Sequence, residues 1–152
     1  MSLHTIRKVT IDDLPQLSNL FDHYRVFYKK QSDIATANTF LTERITNKES
    51  EIYVAESEDR KLVGFTQLYP LFSSTRMQRL WLLNDLYVLE AYRGKGISKQ
   101  LIEAAKQLAK ETNACGLLLE TAKTNTIGNQ LYPTMEFALE ENSNFYFWTN
   151  KQ

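Results

Sequence analysis

The sequence predicts an α+β fold of three layers (α/β/α), in which helices cover both faces of a mixed, mostly antiparallel central sheet of about six to seven strands. Two observations predict it. Short apolar or alternating runs of strand length recur along the chain, and most neighbouring pairs are joined by short polar turns that favour hairpins. Amphipathic stretches with helical spacing are inserted between these runs, and their apolar sides need a sheet face to pack against.

The first half of the chain is predicted to begin with a strand and two helices and to continue with a hairpin. The segments are a strand at 4–9, a helix that starts at Thr10 or Asp12, a helix at 37–47, hairpin strands at 51–56 and 61–69, and a loop at 70–77. Leu14, Leu17 and Phe21 have the spacing of one helix face, and a proline at position 15 is tolerated in the first helical turn.

The second half is predicted to contain a buried strand, a long helix and a closing hairpin. The segments are a strand at 80–88, a helix at 97–110, a strand at 116–120, a short helix at 125–132, and hairpin strands at 137–141 and 145–149. The run at 80–88 is mostly apolar, which is typical of a strand covered on both faces. Pro133 lacks a helix donor and is expected to end the short helix near Tyr132.

Composition narrows the classes of protein that the chain can belong to. Its 152 residues are expected to form one domain over 1–152, and its 18 basic and 18 acidic side chains give a net charge of zero, which argues against a nucleic-acid partner. The single cysteine excludes an internal disulfide framework, and no apolar run has membrane-spanning length. His4 and His23 have no partners at metal-ligand spacing. We expect a cytoplasmic protein without a metal or a membrane partner.

A turn with two glycines opens the long helix and is the strongest candidate for a binding site. Gly94 and Gly96 let the backbone come close to a ligand, and the first N–H groups of the following helix have no partner within the helix. Such a turn is an anion site, most often for phosphate. Arg93 and Lys95 are expected to add mobile positive charge beside it. The sequence therefore predicts a phosphorylated cofactor here.

Two familiar glycine loops do not fit this turn. A P-loop would need Gly-Lys-Ser/Thr at its end, but Ile97 follows Gly96. A dinucleotide fingerprint would need a third glycine where Lys99 stands, and no repeating βαβ pattern surrounds it.

The run Arg93-Gly94-Lys95-Gly96-Ile97-Ser98, which follows the strand that ends in Asp85-Leu86-Tyr87-Val88, resembles the signature of the GNAT superfamily of N-acetyltransferases, Arg/Gln-x-x-Gly-x-Gly/Ala. Ser98 stands where the signature has glycine or alanine, a change that adds a hydroxyl but keeps the N–H. In that family the N–H groups of the loop hold the pyrophosphate of acetyl-coenzyme A.

A second match lies downstream. The run Asn125-Thr126-Ile127-Gly128-Asn129-Gln130-Leu131-Tyr132, with Phe137 after it, is similar to the family element Asn-x-x-Ala-x-x-Leu-Tyr-x-x-x-Gly-Phe. Gly128 stands for the alanine and Glu136 for the glycine. The resemblance implies that acetyl-coenzyme A is held by the strand end, the glycine turn and two residues of this element: Leu86, Tyr87, Val88, Arg93, Gly94, Lys95, Gly96, Ile97, Ser98, Asn125 and Tyr132. It also implies a fold that splays two neighbouring strands to admit the pantetheine arm, and a homodimer.

Acyl transfer to an amine needs a base, because an alkyl amine has a pKa of about 10.4 and is mostly protonated at neutral pH. Asp85 is the first candidate, since a carboxylate among apolar neighbours is unfavourable unless it is paired or functional. Glu120, at the end of an apolar run, is the second. Two alternatives stay open. In the first, Asp85 has a structural role, in which it caps loop N–H groups or pairs with an arginine. In the second, the amine loses its proton to ordered water, as in many family members, and no side chain is needed as the base.

Tyr132 matches the tyrosine that the family resemblance assigns to the departing thiol. A tyrosine has a pKa near 10 and a thiol near 8.5, so full proton transfer is uphill by roughly 1.5 units, about 2 kcal/mol. We therefore expect Tyr132 to stabilise the developing thiolate as a hydrogen-bond donor, and a backbone N–H near Val88 to polarise the thioester carbonyl. The alternative is a tyrosine that is buried for the packing of its ring.

The acceptor is expected to be a primary amine: a small amine, a polyamine or a protein lysine, the substrates that the resemblance implies. Aromatic residues can line a cleft for it through cation–π contacts, although plain core packing explains such residues more often: Tyr24, Phe27, Tyr28, Tyr69, Phe72 and Trp81. Tyr24, Tyr28, Asp85 and Glu120 are the candidates for binding the acceptor. Two other functions stay open, a non-catalytic sensor of acyl-coenzyme A and an interaction domain in which Phe145, Phe147 and Trp148 pair in a dimer.

Overall fold

A computed structural model describes residues 4–151 and confirms the α+β class. Five strands and four helices follow one another along the chain: β1 (His4–Lys8), α1 (Leu14–Phe27), α2 (Ile34–Thr46), β2 (Glu51–Ser57), β3 (Leu62–Ser73), β4 (Gln78–Val88), α3 (Ile97–Glu111), β5 (Leu117–Leu119) and α4 (Thr126–Thr134). None of the described helices is both long enough and apolar enough to cross a bilayer. The chain divides into two compact units, one up to Glu120 and one from Thr121 onward.

The sheet of the first unit has the strand order β1-β2-β3-β4-β5. The first four strands pair antiparallel, and β5 alone runs parallel to its neighbour β4. Parallel neighbours need a crossover connection, and α3 with the turn before it supplies this connection between β4 and β5. The sheet is therefore mixed and mostly antiparallel, as the sequence predicts.

Helices cover both faces of this sheet because its strands alternate between two cores. On one face Val54 and Phe65 pack with Leu17 and other apolar residues of α1 and α2. On the other face Ala55 and Val63 pack with α3, together with Val88 at the end of β4. The adjacent residues Val54 and Ala55 of β2 thus serve opposite cores, which is the side-chain alternation of a β-strand. In β3, Val63 and Phe65 reach opposite cores because the register with β2 shifts at this point and leaves Val63 as an extra residue.

The β3–β4 hairpin is longer than the sequence predicts, and the prediction of a loop at 70–77 is wrong. Pro70 is paired with Trp81 inside the ladder, and only residues 74–77 form the turn. A proline is tolerated here because β3 pairs with β2 only as far as Leu68, so the N–H that proline lacks is not needed by a second neighbour.

The closing hairpin predicted at 137–141 and 145–149 is also wrong, which leaves five strands where about six to seven were predicted. The residues after α4 form neither helix nor strand among those described, and most of their large apolar side chains are exposed: Leu139, Phe145, Tyr146, Phe147 and Trp148. Alternating and aromatic residues give a segment β-propensity, but a strand also needs a partner edge. In addition α4 continues through Pro133 to Thr134, two residues beyond its predicted end.

Candidate functional site

An open edge of β4 forms the centre of the candidate site. β5 pairs with β4 only from Trp81 to Leu83, so the rest of β4 has a strand neighbour on one side only among the described residues. The N–H of Leu89 donates to the Val63 carbonyl at 2.9 Å. In an antiparallel ladder this alternation turns the N–H groups of Val88 and Leu86 away from β3 and toward the open side. Backbone donors therefore face the opening at the end of β4.

The glycine turn follows directly, and its backbone is left-handed at both glycines. Gly94 has φ of 78° and Gly96, the N-cap of α3, has φ of 81°. An added Cβ would meet no atom within 4 Å at either position. Glycine is therefore favoured here by the left-handed backbone conformation, and not because a side chain would clash. Within residues 4–151 the N–H groups from Gly94 to Lys99 donate no hydrogen bond. They are available to an anion at the positive end of α3.

Arg93 does not carry the mobile charge that the sequence predicts. Its Nε donates to the Val88 carbonyl at 2.9 Å, and its guanidinium lies 5.3 Å from the Phe27 ring centroid and 5.5 Å from that of Tyr87. The side chain therefore fixes the turn to β4 and α1, and its charge is held at one place. The Lys95 amine lies 5.2 Å from the Tyr92 ring centroid.

Asp85 lies beside the open edge in a buried hydrogen-bond network without a cation. Its carboxylate is 4% exposed and accepts from the Gln67 amide at 2.6 Å and from the Asn84 amide at 2.9 Å. The oxygen of the Gln67 amide accepts in turn from the Ser50 hydroxyl at 2.8 Å. Among the described residues no lysine or arginine pairs with Asp85. The pairing with an arginine that the sequence left open is therefore not observed.

A β-bulge turns Asp85 inward. Gln67 pairs with Asp85 and the next residue of β3 pairs with Leu83, which leaves Asn84 as an extra residue on β4. A bulge of this kind bends the strand and redirects its side chains. Asn84 is exposed while Asp85 is buried, so the polar route from solvent to the carboxylate passes along Asn84.

Burial raises the pKa values of two acidic groups in and beside this network, Asp85 and Tyr69. Desolvation raises the pKa of Asp85, although hydrogen bonds from Gln67, Tyr24 and Asn84 oppose the increase. Burial also raises the pKa of Tyr69 to about 12, and the charge of Asp85 adds to that effect. A carboxyl group in this setting holds a proton to higher pH than an ordinary aspartate, and a cation from outside would stabilise its charged form.

Of the predicted acceptor residues, Tyr24 on α1 contacts Asp85 and Tyr87, and Tyr28, the residue that caps α1, packs against Tyr24. Tyr24 and Tyr28 have ring centroids 5.1 Å apart, and Tyr24 lies 6.0 Å from Tyr87. The Tyr24 hydroxyl is 3.4 Å from the Asn84 carbonyl oxygen. Tyr24 also contacts Phe65 of the core, so packing explains part of its position. Glu120 is exposed just after β5, and the described contacts do not bring it into this cluster.

The second unit explains the first departure from the downstream motif but not the second. The Asn125 side chain caps α4 by accepting from the Gly128 N–H at 3.2 Å, and a Cβ on Gly128 would lie only 2.5 Å from the Asn125 amide nitrogen. Glycine in place of alanine thus leaves room for the cap. Glu136 has φ of 69°, a conformation that favours glycine, the residue of the motif at this position. Tyr132 packs edge-on against Phe137, with centroids 5.9 Å apart.

Three residues of the Asp85 network were not predicted from the sequence. Gln67 is an amide next to Thr66 in an otherwise apolar part of β3, and a long polar side chain in such a strand is a signal that points to a buried polar partner. Asn84 and Ser50 give no such signal, because their roles depend on the bulge and on the pairing of β2 with β3. Among the described residues no group of three or more His, Cys, Asp or Glu side chains could hold a metal ion.

Comparison with known proteins gives consistent results. The model of the Acetyltransferase (GNAT) family matches residues 14–137. The chain is 42% identical over 127 residues to "Uncharacterized N-acetyltransferase YhfO" of Bacillus subtilis, covering 84% of this chain and 85% of that protein. A solved structure of a "probable acetyltransferase" superposes with a TM-score of 0.92 at 35% identity, covering 97% of this chain and 99% of that one. An aminoglycoside acetyltransferase from a soil metagenomic sample, solved in complex with sisomicin, has a TM-score of 0.81 at 25% identity, covering 98% and 97%.

Proposed function

Because the chain belongs to the acetyltransferase (GNAT) family, we propose that this enzyme moves an acetyl group from acetyl-coenzyme A to a primary amine. The observation that carries the proposal is the placement of two features beside the open edge of β4. The glycine turn presents unpaired N–H groups, and Asp85 presents a buried carboxylate without a cation. The first suits a phosphorylated donor and the second suits an ammonium group.

The residues around the opening fit the donor. The N–H groups from Gly94 to Lys99 are proposed to hold its diphosphate, with Lys95 beside them and Arg93 fixing the turn. Leu86, Tyr87 and Val88 are proposed to line the acyl end of the site, where the N–H groups of Val88 and Leu86 stabilise negative charge on the thioester oxygen. Ile97 and Ser98 continue the turn into α3, and the motif assigns Asn125 to the same ligand.

Asp85 is proposed to bind the acceptor as an ammonium ion and to take one proton from it. The neutral nitrogen then attacks the carbonyl carbon of the thioester, the C–N bond forms, and the C–S bond breaks with its electron pair going to sulfur. The nitrogen loses its second proton to the departing thiolate, so the products are the amide and the free thiol, and Asp85 then releases its proton to solvent. A carboxyl group whose pKa burial has raised is a better base near neutral pH than an ordinary aspartate. Tyr24, Tyr28 and Glu120 are proposed to guide the acceptor, the tyrosines through cation–π contacts.

Tyr132 is proposed to donate a hydrogen bond to the departing thiolate. This role rests on the match of Tyr132 to the family motif. It needs no complete proton transfer, because a preorganised donor already stabilises the charge that develops on sulfur.

The proposed acceptors are a small amine, a polyamine or a protein lysine. Because Asp85 is almost fully buried, the amine must stand on an arm thin enough to reach it past Asn84 and Tyr24. Aminoglycosides, the substrates named for one structural relative, belong among the amines to be screened. We further propose a single functional domain, since one family model spans both compact units, and a cytoplasmic homodimer without nucleic-acid or membrane partners.

Release of free thiol from acetyl-coenzyme A in the presence of an amine panel tests the function. We expect turnover with at least one primary amine, and a large loss of turnover in Tyr132→Phe. Tyr53→Phe is the matched control, since it removes a half-buried hydroxyl on β2 and should keep full turnover. Full turnover in Tyr132→Phe would contradict the role of that residue. Calorimetric binding of acetyl-coenzyme A without turnover on any amine would favour a sensor, and absence of binding would favour an interaction domain.

A further inference from the structure

A cleft of about 360 Å³ lies at the end of the sheet opposite to the glycine turn. Its lining comes from the residues around the start of β2, from the parts of β3 and β4 close to their turn, and from Thr112, the residue after α3. The glycine turn lies before the first residue of α3, and the 15 residues of this helix span about 22 Å. All lining residues belong to the first unit. The cleft is therefore separate from the proposed donor site, and its volume is within the range of small-molecule sites.

The lining of this cleft has an excess of positive charge. Lys48 and Arg79 line it, and in the part of the chain that the structure describes no carboxylate pairs with either. The carboxylate of Glu51, which also lines the cleft, is already paired with Lys8 at 3.0 Å. A guanidinium offers a planar fork of donors that matches a carboxylate or a phosphate group, and an ammonium adds a point charge. The cleft therefore suits a small oxyanion.

Ring contacts hold the Arg79 guanidinium in place. It lies 5.0 Å from the ring centroid of Phe72 and 5.2 Å from that of Trp81. The indole Nε1 of Trp81 in turn donates to the Thr112 hydroxyl at 2.9 Å. A side chain that is fixed before a ligand arrives loses little conformational entropy on binding, and this raises affinity. The charge of Arg79 is thus preorganised beside the cleft.

Ser50 connects this cleft to the buried network of Asp85. Ser50 lines the cleft, and its hydroxyl donates to the amide oxygen of Gln67 at 2.8 Å. The amide nitrogen of Gln67 donates to Asp85 at 2.6 Å. A hydroxyl has one proton to donate, so an anion that accepts this proton leaves the Gln67 oxygen without its hydrogen bond. Because Gln67 is fully buried, that loss changes the orientation or the energy of the amide that holds Asp85.

We propose that the cleft is a binding site for a small oxyanion, a carboxylate or a phosphate, which Arg79, Lys48 and the Ser50 hydroxyl hold, and that its occupation weakens the binding of the acceptor amine at Asp85. By linkage, the amine weakens the binding of the oxyanion by the same factor. The binding site is independent of acyl transfer. The coupling to the amine rests on the proposed function.

The NMR signal of the Trp81 indole N–H tests the binding site without any measurement of activity. The chain has two tryptophans, so Trp148→Phe assigns the signal. We expect a saturable shift on titration with inorganic phosphate or with succinate at constant pH and ionic strength, and the anion with the lower dissociation constant identifies the oxyanion class. Arg79→Gln should raise that constant about 10-fold or more, the effect of losing a charged hydrogen-bond donor. Arg60→Gln is the matched control, because it makes the same change at an exposed position beyond the other end of β2. The dispersion of each spectrum shows that the variant is folded. No saturable shift with either anion, or equal constants in wild type and Arg79→Gln, would overturn the site.

Thiol-release kinetics test the coupling. Acetyl-coenzyme A is kept saturating, so that an anion at the glycine turn does not contribute. With the tighter of the two anions at saturation we expect KM for the amine to rise about 5-fold in the wild type, because the anion removes the hydrogen bond from Ser50 to Gln67. The anion should leave KM unchanged in Ser50→Ala, which lacks that hydrogen bond, and in Arg79→Gln, which does not bind the anion at the same concentration. An unchanged KM in the wild type, or an equal rise in Ser50→Ala, would overturn the coupling. Absence of turnover with every amine would overturn the proposed function and the coupling, but the Trp81 titration would still decide the site.

Discussion

Two buried carboxylates of the first unit have opposite surroundings. Asp13 precedes α1 and is 8% exposed, and Asp85 lies on β4 and is 4% exposed. The guanidinium of Arg7 donates to both oxygens of Asp13 at 2.8 Å, and the Thr10 N–H donates to one of them at 2.7 Å. Glu56 holds the same guanidinium from its other side. Asp85 instead accepts only from uncharged groups.

The pKa values of the two groups move in opposite directions. The hydrogen bonds from Arg7 lower the pKa of Asp13 even though burial opposes them, whereas burial raises the pKa of Asp85. Arg7 compensates the charge of Asp13, and this ion pair has a structural role because it joins β1 to the start of α1. A buried carboxylate whose hydrogen-bond partners are all uncharged keeps its charge uncompensated. This difference is why Asp85, and not Asp13, suits an ammonium group from a substrate.

The largest expected effect that separates the two carboxylates is on activity. Asp85→Asn keeps the shape of the side chain but removes its charge and its basicity. We expect kcat/KM for the amine to fall about 100-fold, the effect of losing a general base. Thiol release measures this.

Asp13→Asn is the matched control for that loss, because it makes the same chemical change in a carboxylate with similar burial. We expect its kcat/KM to stay close to that of the wild type at temperatures where both are folded. Equal losses in the two variants would show that activity follows stability, and the distinction between the two carboxylates would then fail.

The second expected effect is on stability, and here Asp13→Asn should be the more damaging of the two substitutions. Asp13→Asn removes a charged acceptor that holds Arg7 and the Thr10 N–H, and we expect the free energy of unfolding to fall by about 2 kcal/mol. Asp85→Asn should be much less harmful, since the Gln67 amide can turn to match the new amide and Ser50 can then donate or accept. Urea unfolding of both variants at neutral pH checks this order, and a larger loss in Asp85→Asn would contradict it.

The third expected effect is the pH dependence of stability, whose sign differs between the two groups. The contribution of Asp13 is present above the usual aspartate pKa of about 3.9 and is lost as pH falls through its lowered pKa in the folded state. For Asp85 the folded state binds the proton more tightly than the unfolded chain. Its favourable contribution is therefore present below about pH 3.9 and is lost as pH rises through its raised pKa.

Urea unfolding of wild type and both Asn variants across acidic and neutral pH measures the two contributions. Relative to wild type, the deficit of Asp13→Asn should shrink toward low pH. For Asp85→Asn, the free energy of unfolding should instead increase relative to that of the wild type as pH rises. Parallel curves for wild type and Asp85→Asn would show that the pKa of Asp85 is the same in the folded and unfolded chain.

The smallest expected effect is that of Ser50→Ala. The Ser50 hydroxyl holds the Gln67 amide in the orientation that donates to Asp85. Loss of one such hydrogen bond is worth about 1 kcal/mol, so we expect KM for the amine to rise about 5-fold while kcat changes less. Thr39→Ala also removes a side-chain hydroxyl, but at an exposed position of α2, and it should leave KM unchanged. A pure loss of kcat in Ser50→Ala would contradict this positioning role.

Local patterns predicted the secondary structure around the candidate site well. The strand at 80–88, the two glycines and the amphipathic α3 are contiguous in sequence, so spacing alone indicated their structure and order. The network around Asp85 depends instead on the pairing of β2, β3 and β4 and on one extra residue at Asn84. Single-residue register of this kind is set by packing between distant segments.

Two errors have the same physical origin. The segment at 145–149 has the composition of a strand, but strand formation depends on a partner edge that composition does not reveal. Arg93 was expected to add mobile positive charge beside the glycine turn, but the Val88 carbonyl and the rings of Phe27 and Tyr87 hold it. Both outcomes are decided by contacts between segments distant in sequence or by backbone groups that the sequence does not show.

Carboxyl-carbon NMR titration of Asp85, with Asp13 as an internal reference, tests the central claim most directly. We expect Asp85 in the free protein to titrate above the usual aspartate value of about 3.9, and Asp13 to titrate below it. An acceptor amine should lower the pKa of Asp85 and leave that of Asp13 unchanged. An Asp85 that titrates at or below the usual value, or one that a saturating acceptor amine does not shift, would contradict the account.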